Sequence, residues 1–259
     1  MKPSRPEYAP NGLIGLLTPQ ANTTVEPEFS LLMPTGVAWL NGRLTSSGQT
    51  IRDRLIDYMN GLDAATHQFG NAPIEALALG CTGTAYFVGA SREDEILDAI
   101  AQRLKIPVFS AATALVDALG VLQAKTILLV SPYTGDVDNA CTPYWEQRNF
   151  VIANKLAATG DSGFHPIYSM HSSDANTALA AVDTRGVDAI VILGTGMPTL
   201  PTLTRLNQQF DPPVLSCMLC LGWRAAGALD PSEMSADRLK DWANGGQWAT
   251  RLDRFRSAG

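Results

Sequence analysis

The sequence predicts an α/β protein of two pseudo-symmetric halves, each with a parallel four-stranded sheet flanked by helices, and an active site in the cleft between them. Three observations lead there. Short apolar runs alternate with amphipathic stretches, the pattern of βαβ units with right-handed crossovers. The order strand, helix, strand, loop, helix, strand, helix occurs twice. Two loops that follow apolar runs also echo each other, "LGCTGT" at 79–84 and "LGTGMPT" at 193–199.

In chain order, "GLIGLLTP" (12–19) reads as a buried strand. "IRDRLIDYMNGLDAATHQF" (51–69) sets Ile51, Leu55, Met59 and Leu62 at helical spacing. "IEALALG" (74–80) is a second buried strand. "REDEILDAIAQRL" (92–104) is a helix whose acidic first turn suits the helix dipole. "PVFS" and "ATALVDALGVL" give a strand and a helix, and "TILLVSP" (126–132) opens the second half. "VDNACTPYWEQRN" (137–149) reads as helix, with Pro143 expected in its first turn or at a kink. "VDAIVILG", "PTLTRLNQQF" and "PVLS" follow as strand, helix and strand. From Asp230 the chain is rich in charge and helix formers and predicts one C-terminal helix with a frayed end.

The repeat supports this division. "PVFSA" (107–111) matches "PVLSC" (213–217), and "GLIGLLTPQAN" matches "KTILLVSPYTG" more weakly. The expected halves are residues 1–120 and 121–229, with the helix 230–259 a candidate addition to the first. Ligands of such sheets bind outside the carboxyl ends of the strands. Four strand ends should therefore converge on one cleft, carrying "TPQANTT", "GCTGT", "SPYTGD" and "GTGMPT".

Composition narrows the function classes. The 259 residues carry a formal net charge of -6, with 46% hydrophobic and 17% charged residues, which suits a globular chain. No cluster of lysine or arginine is dense enough to track phosphates, so nucleic acid is not an expected partner. No window approaches the roughly 18–20 apolar residues of a membrane span. The polar start, "MKPSRPEYAPNG", lacks the apolar core of a signal peptide, so a cytoplasmic location is expected. Four cysteines in a chain of this length read as thiols rather than a disulfide framework.

Cys81 follows a strand, lies between Gly80 and Gly83, and opens a helix. A helix start and its N–H donors can lower a thiol's pKa, and the thiolate is the reactive form. The same donors can hold a carboxylate or an oxyanion. The alternative is a small buried hydrophobe at a strand end. Across the cleft the echo aligns in two ways, with Cys81 opposite either Thr195 or Gly194, and neither supplies a second thiol. That side can keep a backbone anion nest without an acid–base group.

Asn22 in "TPQANTT" can donate its amide N–H to a carboxylate or can simply form a turn, while Thr23 and Thr24 can cap the next helix. Tyr133 in "SPYTGD" stands at the mirror position of Ala21 or Asn22. It can hydrogen-bond a carboxylate or enolate, or act as an aromatic wedge. Cys217 and Cys220 form one CxxC with no second ligand pair, His67, His165 and His171 lack ligand spacing, and Cys141 reads as packing, so no metal site is expected. Nucleotide and hydrolase motifs of the GxxxxGK[ST], GxGxxG and GxSxG types are absent. The run 157–174, with Ser162, His165 and His171, is expected to hold further pocket residues.

These residues resemble the aspartate/glutamate racemase superfamily. Within it, "GLLTPQANTTVEPEF" and "SPYTGDV" resemble maleate cis–trans isomerases, and arylmalonate decarboxylases share the scaffold. The likeness runs from about Leu13 to Leu229. It implies a cofactor-independent enzyme acting on a small mono- or dicarboxylic acid, with a homodimer as a family-level expectation. Carried over, Cys81 matches the first catalytic cysteine, Tyr133 the substrate-binding tyrosine and Asn22 a carboxylate ligand. Thr82 and Gly83 match the donors beside the cysteine, and Gly194, Thr195, Gly196 and Met197 match the second catalytic loop. The second cysteine is absent, with Gly194 or Thr195 in its place. Two-base racemisation suits paired thiols, so an amino-acid racemase is the least expected member. A maleate-type isomerase with Cys81 as nucleophile is the first expectation. A decarboxylase of substituted malonates, with Cys81 as proton donor, is the alternative, and a carboxylate-binding protein is a third reading from another class. The decarboxylases normally keep the second-loop cysteine and lack the first, so this arrangement predicts protonation from the opposite face.

Overall fold

The computed structural model describes residues 5–158 and 166–257. Two four-stranded sheets form, both wholly parallel. In the first, β1 (Gly12–Pro19), β2 (Val37–Leu44), β3 (Ala76–Leu79) and β4 (Val108–Ser110) lie in the order β2-β1-β3-β4. In the second, β5 (Thr126–Ser131), β6 (Val151–Ala157), β7 (Ala189–Ile192) and β8 (Val214–Ser216) repeat that order as β6-β5-β7-β8. The predicted architecture is the observed one.

Burial explains which strands were readable. β1, β3 and β7 are buried at every position, so their sequences are uninterrupted apolar runs. The edge strands β2 and β6 are half exposed and carry Asn41, Arg43, Asn154 and Lys155. Their weak patterning gives no apolar run, so neither is legible as a strand.

The helices of the first half are α1 (Val25–Leu32), α2 (Ile51–Asn60), α3 (Leu62–Ala65), α4 (Gly83–Val88), α5 (Ala90–Leu104) and α6 (Ala111–Val121). The single helix expected over 51–69 breaks at Gly61, and a 3₁₀ turn at 66–69 completes the stretch. Ser110 caps α6 by accepting the N–H groups of Ala112 and Thr113.

The second half contributes α7 (Gly135–Gln147), α8 (Ser172–Leu179), α9 (Leu200–Gln209) and α10 (Cys217–Leu229). Pro143 lies well inside α7 rather than in its first turn, because the helix already begins at Gly135. Cys141 is fully buried there, as expected of a packing residue. The tail differs from the expected single helix. A 3₁₀ turn (Pro231–Glu233) precedes α11 (Ala236–Ala243) and α12 (Trp248–Ser257), which Gly245 and Gly246 separate at φ +110° and +40°.

α10 is buried on nearly every face and packs on α6 and α1, while α12 packs on α1 and α9. Arg251 of α12 donates to the carbonyls of Leu31 (2.6 Å) and Leu32 (3.1 Å), which closes the end of α1. The carboxyl ends of β1, β3, β5 and β7 carry the loops that form the site. Among the described residues no helix is long and apolar enough to cross a membrane, and no cluster of acidic, histidine and cysteine side chains could hold a metal ion.

Candidate active site

The loop after β1 is shaped by Asn22. Its Oδ1 accepts the N–H groups of Thr24 (2.8 Å) and Val25 (2.9 Å), so Asn22, rather than Thr23 or Thr24, satisfies the start of α1. The Thr24 hydroxyl instead crosses the cleft to the Gly196 carbonyl at 2.7 Å. Asn22 Nδ2 also crosses, reaching the carbonyl (3.2 Å) and hydroxyl (3.4 Å) of Thr195. Thr195 returns the connection by donating its hydroxyl to the Gly80 carbonyl at 2.8 Å. The two echoing loops are thus stitched to each other and to the first loop. Arg43 of β2 braces the outer side by donating to the carbonyls of Pro19 and Asn22 and pairing with Glu26.

Cys81 sits between β3 and α4 at 5% exposure. Burial pushes its thiol up to about 11, the largest influence on it. The N–H and hydroxyl of Thr84 and the N–H of Gly83 pull the other way, and Glu93 adds an upward push. The expected activation by the helix start is therefore present as donors but is outweighed by desolvation, and the resting group is a thiol.

Tyr133, after β5, hydrogen-bonds the Thr82 hydroxyl at 2.9 Å and meets Tyr86 edge-on, with ring centroids 6.0 Å apart. Burial raises the Tyr133 phenol well above its ordinary value, so it stays protonated. Cys217, the first residue of α10, is fully buried, and burial pushes its thiol up to about 12.

Gly194, one of the two positions that can match the absent second thiol, has no room for a side chain. Its φ is +85°, and a Cβ there would lie 2.7 Å from Pro132 Cγ and 2.8 Å from Ile167 Cδ1. Any side chain would be strained by the backbone and blocked by its neighbours.

A cavity of about 190 Å³ opens over this layer. Of the residues predicted from sequence, Cys81, Tyr133, Asn22, Gly83, Thr195 and Gly196 line it. Thr82 stands one layer back, Gly194 contributes only its backbone turn, and Met197 is fully buried outside the wall. Sequence reasoning missed one whole wall. Ile51, Arg54, Leu55 and Tyr58 face the cavity from α2 at i, i+3, i+4 and i+7. The helical spacing of 51–69 was visible, but a helix face turned to a cavity has the same period as one turned to the core.

Ile167 and Tyr168, in a 3₁₀ turn at 166–169, close another side. They fall within the run expected to supply pocket residues. Of the three candidates named there, His171 is exposed at the start of α8, where its N–H donates to Asp174. Ser162 and His165 lie outside the described residues.

The arrangement presents one buried thiol to a small cavity, flanked by a protonated phenol, threonine and amide groups and backbone donors. A thiol so placed can add to an activated carbon or deliver a proton to one.

Proteins similar to this chain include maleate isomerases and arylmalonate decarboxylases. The chain is 24% identical to the maleate isomerase of Pseudomonas putida (strain KT2440) over 229 residues, covering 84% of this chain and 91% of that protein. Among solved structures, Nocardia farcinica maleate cis–trans isomerase with a covalently bound succinylcysteine intermediate superposes with a TM-score of 0.74 at 23% identity, covering 85% of this chain and 93% of that one. A double mutant of arylmalonate decarboxylase, in which a glycine becomes cysteine and a cysteine serine, superposes with a TM-score of 0.70 at 16% identity over the same shares. The family model for arylmalonate decarboxylase matches residues 14–240, nearly the whole length from β1 to α11, and the chain belongs to that family.

Proposed function

We propose that the protein is a cofactor-independent cis–trans isomerase of the maleate type, with Cys81 as its nucleophile. The observation that carries this is the placement of one thiol against a small cavity whose opposite loop offers donors but no second thiol. The likeness to maleate isomerases, one of them seen as a succinylcysteine adduct, supports it.

In this reading one carboxylate of the substrate lies against the loop donors and Tyr133. The Cys81 sulfur bonds to one alkene carbon, and the π pair moves to the neighbouring carbon, which takes up the thiol proton. The former double bond is then a single bond and rotates. Reversal breaks the C–S bond, returns the proton to sulfur and releases the trans diacid. Negative charge that builds next to the carboxylate is met by the protonated Tyr133 phenol and by backbone N–H groups. At pH 7 a thiol near 11 is ionised in roughly one molecule in 10,000, a cost of about 5 kcal/mol that substrate binding and concerted proton transfer must offset.

That high pKa favours a second reading, decarboxylation of a substituted malonate. Loss of carbon dioxide leaves an enediolate, and a resting thiol is already the proton donor this intermediate needs. The likeness to a solved arylmalonate decarboxylase variant, in which a glycine becomes cysteine and a cysteine serine, supports this reading.

The test is a single panel. Wild type and Cys81→Ala are incubated with maleate and with phenylmalonate, and fumarate and carbon dioxide are followed together. The isomerase reading expects fumarate without carbon dioxide in the wild type and a loss of at least about 1,000-fold in Cys81→Ala. Carbon dioxide without fumarate favours the decarboxylase, and turnover surviving in Cys81→Ala removes both.

A further inference from the structure

We propose that Tyr86 completes a chain of three hydroxyls, from Tyr86 through Thr82 to Tyr133, that aims the Tyr133 proton into the cavity when a carboxylate arrives. The proposal rests on the reading of the cavity as a carboxylate site, and it adds a positioning residue that does not touch the ligand.

The observation behind it is an unused hydroxyl. Tyr86 lies in α4, is 6% exposed and does not line the cavity. Among the described residues its hydroxyl has no hydrogen-bond partner. A buried hydroxyl left unpaired costs stability that a phenylalanine of the same shape would not. The ring itself is closely packed, edge-on to Tyr133 with centroids 6.0 Å apart and tilted against Tyr144 at 5.4 Å. The packing thus needs the ring and leaves the hydroxyl without a structural task.

Helix geometry supplies its acceptor. Thr82 is the N-cap of α4 with dihedrals in the helical region, φ -103° and ψ -35°, and Tyr86 follows it by four residues. Side chains at that spacing share one helix face, and long ones lean back toward the N-terminus. The electrostatics agree. Burial, Tyr133, Cys217 and Cys141 push the Tyr86 phenol up, and Thr82 pulls it down.

Thr82 is fully buried, and its hydroxyl shares one bond with Tyr133 at 2.9 Å, in which either can be the donor. If Tyr133 donates to Thr82, its proton is turned away from the cavity. To donate into the cavity Tyr133 must instead accept from Thr82, and Thr82 then has oxygen lone pairs free to accept in turn. Tyr86 is the donor placed to fill them. The three bonds then run from Tyr86 to Thr82, from Thr82 to Tyr133 and from Tyr133 to a substrate carboxylate, each link strengthening the next. No proton changes its owner. The hydroxyls rotate, and a shift of the Tyr86 ring closes the last link.

The experiment combines calorimetric affinity for succinate, a diacid that cannot be isomerised, with a thermal melt. Both are measured for wild type, Tyr86→Phe, Thr82→Val and the double variant. Tyr86→Phe should melt at the wild-type temperature or about 2–4 °C above it, because an unpaired buried hydroxyl is removed. It should nevertheless bind succinate about 3- to 10-fold more weakly. In the Thr82→Val background the same substitution should cost nothing further, a ratio of about 1, since the chain is already cut. Wild-type affinity in Tyr86→Phe overturns the proposal. So does an equal loss in both backgrounds, which marks an effect that does not pass through Thr82. A lower melting temperature in Tyr86→Phe also overturns it, because the hydroxyl is then already paired in the free protein. Wild-type protein that binds no succinate removes the carboxylate-site reading and the chain with it. Failure of the isomerase reading alone is seen separately, as wild-type protein that binds succinate but forms no fumarate from maleate.

Discussion

At Gly194 the left-handed backbone and the close neighbours leave no room for a side chain. Gly194→Ala should lower stability by about 1–2 kcal/mol from the left-handed backbone alone, with more from contact with Pro132 and Ile167, read as a drop in melting temperature. Gly194→Cys should do the same without enhancing turnover, which distinguishes a blocked position from an unused one. In both readings Cys81 carries the chemistry, and its pH behaviour divides them. If it attacks as thiolate, alkylation by iodoacetamide and turnover of maleate should both climb about tenfold per pH unit from 7 toward 10, since ionisation is completed only near 11. If it acts as proton donor, turnover should stay flat across that range and fall above it.

Helices α1 and α9 meet through one carboxylate. Glu28 accepts the N–H groups of Thr199 (2.5 Å) and Leu200 (2.9 Å) and the Thr199 hydroxyl (3.1 Å), fixing the segment that follows the second loop. Burial pushes Glu28 up to about 7, against the pull of those three donors. A raised carboxyl holds its proton more tightly when folded, so the stability it contributes is full below about 4.5 and is lost as pH rises through about 7. The stability difference between wild type and Glu28→Gln should therefore shrink by about 3 kcal/mol between pH 4.5 and 7.5, measured by urea unfolding. The same element scale shows what the sequence made legible. β1, β3, β5 and β7 announced themselves because burial on both faces demands apolar residues throughout, and the loops behind them carried Cys81, Asn22 and Tyr133. β2 and β6 did not, because edge strands need no such run. The α2 wall with Arg54 and Tyr58 was hidden for a different reason: a polar residue on an amphipathic helix looks like solvent face until a neighbouring element encloses it. The raised pKa of Cys81 was not legible, because the loop motif displays its donors but not the burial that outweighs them.

Across the whole molecule the two sheets are joined by buried polar contacts as well as by packing. Glu93 of α5 is fully buried and receives Ser110 (2.6 Å), Tyr144 (2.6 Å) and Arg148 (2.8 Å), and Arg148, which caps the end of α7, also pairs with Asp94. Arg148→Met leaves Glu93 without its cation and should cost about 3–5 kcal/mol, whereas Arg148→Met combined with Glu93→Leu should recover most of it. Because the cleft is formed by both sheets, that loss should reach activity as well as stability. The central claim, however, is that one thiol on one side of this cleft suffices to turn over a small diacid covalently. Acid quenching during maleate turnover, followed by peptide mass spectrometry, tests it most directly. The account predicts a diacid adduct on the peptide containing Cys81, absent from those containing Cys141, Cys217 and Cys220, and formed while fumarate accumulates. Fumarate accumulating without any adduct on Cys81, or with the adduct on another cysteine, would contradict it.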